Sequence, residues 1–188
     1  MMRVIAGTAR SLPLKAPAGA DTRPTTDRIK ETLFNMIQGR VPGSVFVDLF
    51  SGSGGIGIEA LSRGARHAYF VERDREAVFC IQDNLSFTRF ADRATVLKQD
   101  VSGALSLISE KEVDILFMDP PYRQDCEREV FSALSRQRYV TEDTLVIVEA
   151  GLEKGFDFLT ELGFEVTKEK RYKTNKHVFC RKMAKCAD

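Results

Sequence analysis

The sequence predicts a doubly wound α/β domain, a mostly parallel sheet covered by helices on both faces, and two observations carry that reading. From Val45 onward, short runs rich in β-branched and aromatic residues alternate with segments of helical periodicity. A glycine-rich stretch also falls between the first such run and the first such helix, where a parallel sheet needs a tight turn. Five strands are expected in series at Val45–Leu49, His67–Glu72, Ala94–Lys98, Val113–Met118 and Thr144–Glu149. Helices are expected at Gly55–Arg63, Asp74–Phe87 and Gln124–Gln137. In the second, Ala77, Val78, Ile81 and Leu85 share one face.

The pattern changes at both ends. After Leu152, Phe164–Tyr172 and His177–Lys182 read as extended segments joined by a polar turn at Lys173–Lys176, a terminal hairpin. Before Val45 the chain offers a short strand at Arg3–Ala6 and a Pro/Gly/Ala-rich loop through Ala20. A helix follows over Asp27–Gln38, with Thr26 as N-cap and Asp27 in the first turn. Residues 1–40 are therefore expected to be an extension packed on a main domain of residues 41–188.

The 188 residues are 43% hydrophobic and 29% charged, which places the chain among globular domains rather than disordered ones. Cys80, Cys126, Cys180 and Cys186 are too scattered for a disulfide framework, and no C-x-x-C pair offers a metal or redox site. Apolar runs are strand-length, well short of the ~20 residues of a membrane span, and there is no signal-peptide pattern, so a cytoplasmic location is expected. Net charge is only +1, yet residues 1–40 carry +4 and residues 168–188 carry +6, leaving −9 for the middle. If folding brings the two basic ends onto one surface, they form a phosphate-attracting face despite the near-neutral total.

Three segments carry chemistry. Asp48-Leu49-Phe50-Ser51-Gly52-Ser53-Gly54-Gly55-Ile56-Gly57 ends a strand and opens a helix, and Gly52, Gly54 and Gly57 match the G-x-G-x-x-G spacing of adenosine-cofactor loops. Glu72, twenty residues after Gly52 at the end of the next strand, can accept from ribose hydroxyls. The pattern also fits a nicotinamide dinucleotide. Asp48 places a carboxylate beside the ligand, which suits a cationic or zwitterionic cofactor better than a pyrophosphate. Asp100 follows the third strand and can accept from an adenine amino group or cap the next helix.

The third segment, Asp119-Pro120-Pro121-Tyr122, closes the fourth strand with two residues that lack a backbone donor, so the chain must turn rigidly there. That turn offers the Asp119 carboxylate and the Pro120 carbonyl as acceptors for one planar amino group, with the Tyr122 ring free to stack on the attached base. Acceptors of this kind orient a weakly nucleophilic amine; they do not hydrolyse or oxidise it. His67 and His177 adjoin none of these segments and read as packing residues, without support for a histidine or metal mechanism.

Taken together, VDLFSGSGGIGIEAL, FVERD, QDV and DPPY stand in the order and spacing of class I S-adenosylmethionine methyltransferases that act on amino groups. With Arg23-Pro24-Thr25-Thr26-Asp27-Arg28 added, the chain resembles the RsmD family of small-subunit ribosomal RNA guanine-N(2) methyltransferases over nearly its full length. The resemblance implies a Rossmann-like, seven-stranded sheet whose last strand is antiparallel, the hairpin supplying strands six and seven. It implies S-adenosylmethionine contacts from Thr25, Asp48, Phe50, Ser51, Gly52 and Gly54, from Glu72 and Arg73, from Asp100 and Val101, and from Asp119, with no metal. Asp119, Pro120, Pro121 and Tyr122 would hold the target amine, and Thr25 and Thr26 would lie near the reacting centre. Two departures stand out: Arg10-Ser11-Leu12 where relatives carry Arg-Gly-Arg-x-Leu, and Tyr172-Lys173 where they carry Tyr-Gly.

The expected activity is methyl transfer to the exocyclic amine of a guanine in 16S ribosomal RNA, giving S-adenosylhomocysteine. The partner would be that RNA or the small subunit, and the enzyme a monomer. Arg3, Arg10, Arg23, Arg28, Lys170, Arg171, Lys173 and Lys176 are the expected RNA contacts. Methylation of DNA adenine or of a protein glutamine uses the same kind of turn, and an inactive RNA-binding assembly module is the non-enzymatic rival.

Overall fold

The structure, a computed structural model, describes residues 2–17, 27–121 and 126–184. The expectations for Arg23, Thr25, Thr26 and Tyr122 fall outside the described residues.

A seven-stranded sheet forms the centre. Its strands are β3 (Val45–Asp48), β4 (His67–Val71), β5 (Ala94–Leu97), β6 (Ile115–Met118), β7 (Leu145–Gly151), β8 (Phe164–Arg171) and β9 (Asn175–Lys182). They lie in the order β5-β4-β3-β6-β7-β9-β8. The first five are parallel, as their fully or largely apolar sequences require of strands covered on both faces. The hairpin then inserts its second arm: β9 pairs antiparallel with both β7 and β8. The order reverses between β4-β3 and β3-β6, the place where an open α/β sheet splays its connections and leaves a crevice.

Side chains alternate across the sheet, so each face collects its own core. One face packs Val45, Val47, Leu116, Val146 and Val148 under α4 (Val101–Leu105) and α5 (Glu127–Ser135). The other packs Phe46, Phe70, Phe117, Ile147 and Phe179 under α1 (Asp27–Ile37), α2 (Gly55–Ser62) and α3 (Arg75–Thr88). The amino-terminal segment forms a two-stranded ribbon, β1 (Met2–Arg3) with β2 (Pro13–Leu14), and Val4, Ala9 and Leu14 join that second core. The expected Arg3–Ala6 strand is thus shorter and shifted, because Ile5 and Ala6 give their N–H groups to the Glu59 carboxylate instead of to a ladder. No described helix is long and apolar enough to cross a membrane.

Candidate active site

The glycine loop leaves β3 and turns into α2 in a conformation that its sequence selects. Gly52 and Gly54 sit at φ 51° and 79°, in the left-handed region where glycine carries no side-chain penalty. Gly57 is required for a different reason: a Cβ there would stand 2.4 Å from the Phe70 ring, so the first turn of α2 can lie this close to β4 only without one. Open space faces Gly52, where a Cβ would meet nothing within 4 Å.

Two carboxylates brace the loop. Glu72 accepts from Gly52 N at 2.9 Å through Oε2 and from Asp74 N at 2.9 Å through Oε1, tying the loop to the end of β4. Asp48 accepts from Gly57 N at 3.2 Å through Oδ2, at the amino-terminal turn of α2. Its Oδ1 is buried and has no hydrogen-bond partner among the described residues. Burial, then the Glu72 charge, push the Asp48 carboxyl up to about 7, against which the backbone donors work. A buried acceptor left unpaired is costly, and a cationic donor would relieve it. This orphan oxygen, the open face of Gly52 and the Glu72 carboxylate form a donor-seeking, anionic crevice, and these residues fit a zwitterionic, ribose-bearing cofactor.

The Pro-Pro corner lies next to that crevice. β3 and β6 are directly paired, and Leu49 N donates to Phe117 O at 2.9 Å, so the loop after β3 and the corner after β6 leave the same sheet edge side by side. Pro120 is buried and Pro121 exposed. Asp119 is largely buried, and its carboxyl is held well above the usual carboxylate range by that burial, then by the charges of Glu149 and Asp48.

The remaining expected residues divide by position. Phe50 and Ser51 are in the loop, half-buried and buried, and Ser51 N donates to Val71 O. Arg73 is exposed at the end of β4. Asp100 lies at the end of β5 and caps α4, its Oδ1 accepting from Gly103 N at 2.7 Å, with Val101 as the first helical residue.

Described parts of the two basic ends reach the same, carboxyl edge of the sheet. Met2 Sδ is 3.3 Å from Ser53 Oγ, which anchors the ribbon at the glycine loop, and Arg3 pairs with Asp27 at the start of α1, beside exposed Arg28. At the other end, Lys170, Arg171 and Lys173 are exposed around the β8–β9 turn, which closes at the carboxyl end of β7. Two expected contacts behave differently. Arg10 follows the Thr8–Ala9 segment bound to Ser62 at the far end of α2, about 12 Å along the helix from the loop. Lys176 is 5% exposed, paired with Glu169 at 2.9 Å and lying over the Phe156 ring, so its charge is spent inside the fold.

Sequence reasoning missed the polar residues beneath the corner. Glu149 is buried on β7, its Oε1 accepting from Asn175 Nδ2 and its Oε2 3.2 Å from His177 Nε2. His177 is 0% exposed, and the Tyr172 hydroxyl is 3.0 Å from its Nδ1. The one available signal was a lone Glu and a lone His inside apolar strand runs, where a charge needs a partner.

The conserved hypothetical protein 95 family model matches residues 2–181. Ribosomal RNA small subunit methyltransferase D of Escherichia coli K12 is 36% identical over 156 residues, which span 82% of this chain and 77% of that one. The protein of the same name from Haemophilus influenzae is 32% identical over 171 residues, 90% of this chain and 88% of the other. Among solved structures, the Escherichia coli protein yhhF superposes with a TM-score of 0.81 at 29% identity, covering 98% of this chain and 99% of its own. The braced glycine loop, the adjoining Pro-Pro corner and likeness along almost the whole chain agree: this protein belongs to the RsmD family of methyltransferases.

Proposed function

We propose that the protein transfers a methyl group from S-adenosylmethionine to the exocyclic amino group of a guanine in small-subunit ribosomal RNA. The observation that carries the reading is the placement of an anionic, donor-seeking crevice and a rigid acceptor corner on directly paired strands, β3 and β6. The names of the relatives, which act on small-subunit ribosomal RNA, supply the substrate class.

S-adenosylmethionine would supply an electrophilic methyl on a sulfonium, so the protein's part is to bind, orient and accept. Asp48 offers its unpaired oxygen to the cationic end of the cofactor. Glu72 holds the loop through two backbone donors and keeps lone pairs for ribose hydroxyls. Asp100, while capping α4, retains a second oxygen for the adenine amine. Asp119 and the Pro120 carbonyl accept from the target amine, whose lone pair is thereby freed from the ring and aimed outward. In the free protein burial keeps a proton on Asp119. An arriving cation and two N–H donors favour its anion, so acceptor and substrate prepare each other. The guanine must leave its stack to reach the corner, a cost of about a few kcal/mol that an irregular RNA segment lowers.

The test is transfer of radiolabelled methyl to 16S ribosomal RNA and to small subunits isolated from cells that lack the protein, with DNA and a glutamine peptide alongside. Label recovered as N(2)-methylguanine supports the proposal. Label found only in DNA adenine or glutamine, or in nothing, refutes it.

A further inference from the structure

A row of polar groups runs across three strands on the face of the sheet that α1, α2 and α3 cover. Met118 pairs with Val148 in the parallel β6–β7 register, so Asp119, the next residue, stands beside Glu149; Glu149 in turn pairs with His177 across β7 and β9. Adjacent strands are about 4.8 Å apart, so the three side chains are lateral neighbours. The Phe117 ring on that face meets the His177 ring edge-on at 6.1 Å, which confirms the shared side.

The surroundings of Glu149 are unlike those of a structural ion pair. Among the described residues its partners are the Asn175 amide and the His177 imidazole, and no described Lys or Arg makes a salt bridge to it. Two buried ammonium groups are engaged elsewhere, Lys176 with Glu169 and Lys30 with Glu59. The Tyr172 hydroxyl stays a donor across the working range, since burial and the Glu149 charge push it up to about 12. With Tyr172 donating to Nδ1, the ring's own proton sits on Nε2 and is given to Glu149. Glu149 is thus held by Asn175 and by His177, whose ring Tyr172 sets, with no salt bridge to a described Lys or Arg, and its neighbour on β6 is the carboxyl of Asp119.

On the amino-methylation reading above, we propose that Glu149, held by Asn175, His177 and Tyr172, is a positioning residue that acts through Asp119 and makes it the acceptor of the amine's proton. In the step itself, the amine lone pair forms the new N–C bond while the C–S bond breaks and leaves its electron pair on sulfur. The nitrogen, now cationic, gives one N–H proton to the Asp119 carboxylate. An uncompensated negative charge beside Asp119 strengthens it as a proton acceptor, which is the contribution Glu149 makes.

The experiment is the pH dependence of single-turnover methyl transfer to small-subunit RNA by the wild-type chain, Glu149→Gln and Tyr172→Phe. Cofactor affinity and thermal midpoint are measured for each. Expected for Glu149→Gln are an acid limb displaced about one unit to lower pH and a plateau rate about tenfold lower, with RNA KM and cofactor Kd within about threefold. Tyr172→Phe removes the donor that fixes the ring proton on Nε2 and so loosens the hold on Glu149, and its limb moves the same way by less. A folded, cofactor-binding Glu149→Gln with the wild-type limb overturns the proposal. Should that variant not fold, an unmoved limb in Tyr172→Phe overturns it equally. Failure of the wild-type chain to methylate any RNA sinks the activity assigned above, whereas an active chain whose limb ignores both substitutions sinks this inference alone.

Discussion

At the scale of single residues, the site concentrates carboxyls where burial makes them hard to ionise, and Asp48 shows what that does to the free protein. Its folded value of about 7 lies above the ordinary 3.8, so the folded chain binds a proton that the unfolded chain releases. That difference is fully stabilising below about pH 4 and is lost as pH rises through about 7, on the order of 4 kcal/mol at most. Asp48→Asn removes the cost: its thermal midpoint should match wild type near pH 4 and exceed it by up to about 10 °C near pH 8, by calorimetry of the ligand-free protein. The same substitution removes the anion facing the crevice and should weaken S-adenosylmethionine at least about tenfold by titration calorimetry. Equal melting curves at both pH values would contradict the burial argument. Asp119→Ala separates differently: methyl transfer should vanish while cofactor affinity stays within a few-fold, because its acceptors serve the amine.

At the scale of elements, one buried side chain ties the amino-terminal ribbon and α1 together against α2. Glu59 is 0% exposed, accepts from Ile5 N and Ala6 N at 2.7 and 3.0 Å, and pairs with Arg63 at 2.7 Å and with buried Lys30 at 3.4 Å. Truncation to Ala strands Lys30 without a counter-charge and two backbone donors without acceptors, so Glu59→Ala should cost about 3–5 kcal/mol in urea unfolding. A loss under about 1 kcal/mol would mean that the apolar contacts and the Ser62 hydrogen bonds hold the ribbon without Glu59. This anchor was illegible in the sequence, where Glu59 reads as a polar residue on a helix, because its partners lie 53 and 54 residues away. The seven strands of the main sheet were legible to within two residues, since an apolar run bounded by turns has one economical solution in a parallel sheet, whereas the ribbon strand was shifted and its partner β2 read as loop. The helix α4 was not: it is five residues long, carries Gly103 inside, and owes its existence to the Asp100 cap and the packing of Ala104 and Leu105. Likewise the glycine loop and the Pro-Pro corner announce themselves locally, whereas the Glu149–His177 pair exists only once β9 slots between β7 and β8.

At the scale of the whole molecule, a net charge of +1 gives no hint of a polyanionic partner, and the fold supplies what the sum hides. The ribbon brings Arg3, and the start of α1 brings Arg28, to the glycine-loop edge, and the hairpin brings Lys170, Arg171 and Lys173 to the same edge further along the strand order. Phosphate contacts made there release counterions, and each lost contact should lower the slope of log affinity against log salt by about 0.7 to 0.9. Lys173→Ala and Arg171→Ala are therefore expected to flatten that slope by about one contact each, measured by RNA binding across a salt series. Arg10→Ala is the internal control, because the Gly7–Ala9 turn carries it to the far end of α2, about 12 Å along the helix from the site. Its slope should match wild type, as should that of Lys176→Ala, whose ammonium faces Glu169 and not solvent. The reverse pattern, with Arg10 steepening the dependence and Lys173 silent, would mean that RNA approaches across the amino-terminal ribbon, and the basic carboxyl-terminal hairpin would then serve only to cover β7.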